Sequence, residues 1–104
     1  MKIDNLALRV NGKDNVATVF ADGISAGDNV CVVEADGSRE DILVHNDVPY
    51  GHKIALADLS KGELIVKYGE TIGMASQDIR KGEHVHVQNL DAIRGRGDSG
   101  RDNK

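Results

Sequence analysis

The chain has 104 residues with a formal charge of -4, thirteen basic against seventeen acidic side chains, and only three aromatics, Phe20, Tyr50 and Tyr68. That size fits one domain with a single core, built mainly from Val, Ile, Leu and Ala. The charges are interspersed rather than blocked, which argues against a nucleic-acid or anionic-membrane surface, and no run approaches the roughly 18 apolar residues of a membrane span.

In chain order, Leu6, Leu8 and Val10 alternate with Ala7 and Arg9, the period of a half-buried strand, and Asn11-Gly12 supplies a turn. Val16-Ala17-Thr18-Val19-Phe20 is a second strand, ending at Ala21-Asp22-Gly23. The runs 28–34 and 39–44 flank Asp36-Gly37 and predict a hairpin with a type I′ turn, in which both central residues take positive φ. Cys31 sits in the apolar run Val30-Cys31-Val32-Val33 and reads as a buried, inert thiol. A lone thiol forms no internal disulfide, and the N-terminus lacks the apolar stretch of a signal peptide, so a cytoplasmic protein is expected.

The second half carries a duplicated turn. Asp58-Leu59-Ser60-Lys61-Gly62-Glu63 recurs as Asp78-Ile79-Arg80-Lys81-Gly82-Glu83, with a weaker echo from Asp22 to Asp28. The pattern predicts one helical turn with Asp capping backbone amides, Leu59 or Ile79 turned inward, and Gly62 or Gly82 in a left-handed conformation. Strands are expected at 53–57, 64–68, 71–76 and 84–88, with Gly69-Glu70 as the tight link between the middle two. The fold class is mainly β: a small clip-like or barrel-like domain with short helical turns, over residues 1–90. Residues 91–104 have no apolar side chain after Ile93 and read as a flexible tail, in which Arg96-Gly97-Asp98 matches an integrin tripeptide by chance.

Three places could carry chemistry. On a strand, His84 and His86 share a face, a candidate metal edge with His52 as third ligand, or else a polar strand face at an interface. Gly51-His52-Lys53 follows Val48-Pro49-Tyr50, where proline fixes the approach; Lys53 could hold a carboxylate while His52 donates a hydrogen bond or passes a proton, unless both are merely solvated. At Lys67-Tyr68-Gly69-Glu70 the glycine could admit a ligand or another chain, with Tyr68 a core or interface aromatic ahead of a catalytic acid. No complete active site is visible.

Four blocks in one order extend this reading: Asp14-Asn15-Val16-Ala17, Gly51-His52-Lys53-Ile54-Ala55-Leu56-x-Asp58-Leu59, Lys67-Tyr68-Gly69-Glu70-x-Ile72-Gly73 and Gly82-Glu83-His84-Val85-His86-x-x-Asn89. With them the chain resembles the small subunit or N-terminal domain of altronate dehydratases and the small subunit of (2R)-sulfolactate sulfo-lyase. The resemblance implies a SAF-type β-clip and a larger partner subunit. It also implies a hydro-lyase acting on a sugar acid by β-elimination, with Fe²⁺ or Mn²⁺ held in main part by the partner. For this chain it implies His52 and Lys53 as catalytic residues, Asn15, Tyr68 and Gly69 as substrate-binding, and His84 and His86 as metal ligands. The sulfo-lyase subunit and a non-catalytic ligand-binding or assembly module are the alternatives, and self-association is left open.

Overall fold

The computed structural model describes residues 5–92; the expected tail beyond residue 92, with its Arg-Gly-Asp, lies outside them, while Asp91 and Ala92 belong to the last strand. Nine strands form two sheets: β1 Leu6–Arg9, β2 Val16–Val19, β3 Asn29–Glu34, β4 Arg39–Leu43, β5 Lys53–Ala55, β6 Leu64–Lys67, β7 Glu70–Ala75, β8 His84–Val85 and β9 Leu90–Ala92. The larger sheet runs β4-β3-β1-β2-β5-β8 and the smaller β6-β7-β9. The mainly β expectation holds, with one correction: among the described residues there is no helix, and the expected helical turns are tight non-helical ones. β9 carries ordered pairing to Ala92, opposite Gly73.

The alternation in β1 and the β-branched run of β2 produce an antiparallel pair with Ala7 opposite Val19. β1 also runs parallel to β3, placing Leu6 opposite Cys31. β2 is buried on both sides. Ala17, Val19 and Ile54 join one core cluster with Ala7, Val30, Val32 and Ile42. Val16, Ala55 and Val85 join a second with Leu59, Ile65, Ala75 and Ile79. Short Val, Ile and Ala side chains fill both, while Phe20, Tyr50 and Tyr68 are all exposed. Cys31 is half-buried rather than fully buried.

Two turn assignments change. At the β3–β4 hairpin Gly37 alone has positive φ, 90°. Asp36 instead accepts hydrogen bonds from the Ser38 amide and hydroxyl, which hold its carboxyl below the usual range, so the loop is not type I′. The tight link of the smaller sheet is Tyr68-Gly69, both at positive φ (55° and 77°) between the paired Lys67 and Glu70; Glu70 belongs to β7. A Cβ on Gly69 would lie 2.8 Å from Asn11 Nδ2.

The repeated turns are the main organising device, and there are four. In each, a glycine at positive φ (Gly27, Gly51, Gly62, Gly82) donates its amide to the carbonyl of a residue at or near a strand end (Val44, Val19, Ala75, Ala55). The following residue donates back into its own turn: Asp28 to Ser25, His52 to Pro49, Glu63 to Ser60, Glu83 to Arg80. The turns clasp in pairs, Ile24 bridging Val48 and Leu59 bridging Ile79. The aspartates work across each clasp: Asp78 accepts from Lys61 N, Asp58 from Lys81 N, and Asp47 from Ala26 N. Each caps the opposite turn, which corrects the expectation of local capping. The fourth copy, Asp47-Val48-Pro49-Tyr50-Gly51, has the same four-residue Asp-to-Gly spacing as the other two Asp-to-Gly turns.

Candidate functional site

Three of the four turns close with an acid. Asp28 accepts from Ser25 N, Glu63 from Ser60 N and Glu83 from Arg80 N. In the fourth the corresponding position holds Pro49, which has no N–H, so a carboxylate after Gly51 would find no donor there. Residue 52 is thereby free of the structural task, and it is a histidine.

His52 meets the other two predicted histidines. β8 pairs with β5, setting His84 opposite Ile54, and the His52 Nδ1 and His84 Nε2 atoms share a hydrogen bond of 2.9 Å. The rings stack, with centroids 4.0 Å apart for His52–His86, 5.1 Å for His52–His84 and 5.7 Å for His84–His86. One ligand nitrogen from each lies within 4.8 Å of the others, and all three side chains are half-buried.

The expected strand 84–88 stops at Val85. Asn89, a buried polar side chain, accepts from His86 N and donates to the His84 carbonyl, turning the chain after one strand residue pair. Val87 is therefore 78% exposed. The turn still delivers His86 beside His84. Asn46 accepts from His84 N, and Gln88 Nε2 donates to the His84 carbonyl and lies 3.4 Å from its Nδ1. The roles of Asn46, Gln88 and Asn89 were not assigned from the sequence; the Asx-turn pattern His-x-x-Asn was the available signal for Asn89.

Burial lowers the His84 pKa, aided by the positive charge His52, His86 and Lys53 would bring; burial, then His52 and Lys53, lower that of His86. Both favour the neutral imidazole, the form that ligates a metal or accepts a proton. A shallow depression of about 390 Å³ opens beside His84, floored by the Ile24–Val48 clasp with Pro49 and Asp47 at its margin.

The remaining predicted residues lie around this cluster rather than in it. Lys53 pairs with Thr18 and Val85 and shares their face of the sheet, next along β5 from His52. Asn15 is fully engaged with β6, its amide nitrogen donating to the Leu64 carbonyl and its oxygen accepting from Val66 N. Tyr68 is 51% exposed at the β6–β7 turn, with the Lys67 ammonium 4.9 Å from its ring centroid, and Gly69 donates to Asp14.

A clip-like all-β domain presenting three convergent histidines beside a shallow cleft defines a binding or catalytic module with metal-ligating capacity. Residues 5–92 match the model of the altronate/galactarate dehydratase SAF domain, and the chain belongs to that family. It is 39% identical over 79 residues to (2R)-sulfolactate sulfo-lyase subunit alpha of Chromohalobacter salexigens, covering 74% of this chain and 83% of that subunit. It is 39% identical to the altronate dehydratase of Escherichia coli and 43% to that of Bacillus subtilis, over 82 residues in each case. Those alignments take in 79% of this chain but 15% of each dehydratase.

Proposed function

We propose that this chain is the small subunit, or the equivalent of the N-terminal domain, of a cytoplasmic sugar-acid dehydratase, with altronate-like hydroxy acids as substrates. It contributes one wall of a shared site for β-elimination of water. The observation that carries this is the convergence of His52, His84 and His86 from three turns and strands onto one patch.

Elimination next to a carboxylate needs a base, stabilisation of enolate-like charge and help for the departing hydroxyl. The imidazoles fit a divalent first-row ion, Fe²⁺ or Mn²⁺ in this family, since neutral nitrogen donors at this spacing suit such metals; a bound ion would supply Lewis-acid assistance to the leaving group. Lys53 places positive charge one residue from His52, where it attracts an acid substrate. In the absence of a bound ion, His52 and His84, sharing one hydrogen bond, can hold a proton between Nδ1 and Nε2; an ion ligated by those nitrogens would displace it. The large catalytic surface, including the principal base, belongs to a partner subunit. The relative's name, subunit alpha, denotes a protein that works with others.

The test is to co-purify the chain with a large dehydratase subunit and assay dehydration of hexonates and aldarates with added Fe²⁺ or Mn²⁺. Replacing His52 and Lys53 together by Ala abolishes most of the activity on this reading; unchanged turnover removes them from the site. A second reading, the small subunit of a sulfolactate sulfo-lyase, is favoured by the alignment's reach over 83% of that subunit. Release of sulfite from sulfolactate by the same complex selects it.

A further inference from the structure

The larger sheet has two faces, and only one of them is covered throughout. Residues paired across a sheet share a face, so Ala7, Val19, Val32, Ala17 and Ile54 stand together in the first core cluster, with His84 opposite Ile54 on the same side. The reverse face is split. Val16, Ala55 and Val85 are covered by the smaller sheet through Ile65 and Ala75. Beyond them, Leu6, Leu8, Phe20, Val33 and Arg39 line an open depression of about 370 Å³. Tyr50 stands edge to face against Phe20, with ring centroids 6.0 Å apart. These two rings are 42% and 57% exposed, in a core that is otherwise filled by Val, Ile, Leu and Ala. Aromatic side chains gathered on an open apolar patch mark a contact surface.

β4 borders the depression and adds one charge of each sign to the same face, since Arg39 pairs with Val33 and Asp41 with Cys31. Among the described residues the ion pairs are Arg9–Glu34 and Lys81–Glu40, so neither Arg39 nor Asp41 is matched there. An apolar patch flanked by one unmatched cation and one unmatched anion is complementary to itself: about a two-fold axis, Arg39 of each copy meets Asp41 of the other. We infer that this face docks a second copy of the chain in an isologous pair. The histidines are on the opposite face, by the register of His84 with Ile54, so a second copy seated here leaves them open. The pairing stands independently of the lyase reading.

Sedimentation velocity of the full chain across a dilution series tests it, and a reversible monomer–dimer equilibrium is expected. Phe20→Ser weakens the dimer about tenfold or more, the loss that a central aromatic anchor brings. Leu64→Ser, 49% exposed on the smaller sheet, leaves it unchanged. Arg39→Asp and Asp41→Arg each weaken self-association about tenfold, because each sets like charges against one another across the axis. Mixed in equal amounts, those two variants form a heterodimer, since the opposite charges then face each other again. All the positions are exposed, and thermal melts confirm that each variant is folded. A chain that stays monomeric at every concentration, a dimer indifferent to Phe20→Ser, or a mixture that fails to pair overturns the inference. Loss of a large-subunit complex in Phe20→Ser, with self-association intact, also overturns it and assigns the face to that partner.

Discussion

The two clasps of this molecule use one backbone device for different ends. At Leu59–Ile79 both turns are closed by their own acids, Glu63 and Glu83, and capped across the clasp by Asp58 and Asp78. At Ile24–Val48 the first turn keeps its acid, Asp28, while the second has Pro49 where the donor should be and His52 where the acid should be. The cross-clasp cap is also single there: Asp47 reaches Ala26 N, and the return position is Gly23, which has no carboxylate. One clasp is wholly structural. The other has given up half of its hydrogen-bonded closure and gained a histidine bonded to His84, which lines the cleft.

This difference can be broken most severely at Gly82. Its φ is +91°, and a Cβ there would stand 2.2 Å from the Leu43 carbonyl oxygen, whereas Gly62 at +90° has nothing within 4 Å. Gly82→Ala should cost about 3 kcal/mol or more, from a clash with immobile backbone added to left-handed strain. Gly62→Ala should cost only about 1–2 kcal/mol from the strain alone. Urea unfolding of the two variants checks this; equal losses would mean that the Gly82 turn is not pressed against β4 as described.

A smaller effect sharpens the comparison at the closing position. Glu63→Ala and Glu83→Ala each remove an acceptor from a turn amide and should lose about 1 kcal/mol. His52→Ala leaves every turn bond in place and loses only the hydrogen bond and stacking with the other histidines, about 1 kcal/mol. The Glu63→Ala and Glu83→Ala losses alone are therefore accompanied by faster exchange of the Ser60 and Arg80 amides. Supplying both missing halves should restore the clasp: His52→Glu in a Pro49→Ser background stabilises by about 1 kcal/mol, while the same change with Pro49 intact does not. Chemical denaturation of this four-variant cycle reads the coupling directly.

The smallest expected effect concerns Lys53. Its folded pKa lies below the ordinary 10.5 because of burial and Lys67. Between the folded value and 10.5 the unfolded chain binds more protons, so stability rises with pH across that window and is lowest below it. Lys53→Met therefore stabilises the ligand-free protein at neutral pH, and the gain shrinks as pH approaches 10.5. Thermal melts across that range in anion-free buffer follow it; a gain that grows with pH would contradict the sign.

Much of this was legible in the residues. Period-two alternation marks β1, β-branched runs mark β2 and β3, and the D-(L/I)-x-K-G-E repeat identifies two turns with their inward Leu59 and Ile79 and left-handed glycines. The His84/His86 pair and its third member His52 also stood out. What did not was long-range: nothing local says that β1 lies parallel to β3, or that β8 adds to β5 and so brings residue 84 to residue 52. The clasping of turns in pairs is likewise a tertiary property, which is why the aspartates looked like local caps. The alternation over 84–88 predicts a longer strand than forms, because the Asn89 side chain, which ends it, acts from three residues beyond His86. Asn15 carries its weight as a strap on β6, bonding to residues about fifty positions away.

The central claim is that the released His52 joins His84 and His86 in a divalent-metal site. Titration of the full chain with Co²⁺, followed by its visible absorption, tests it most directly. One ion bound per chain with a nitrogen-ligand spectrum is expected, lost when any one of the three histidines is replaced by Ala and unaffected by replacing His45. An unchanged spectrum and stoichiometry in His52→Ala would contradict it.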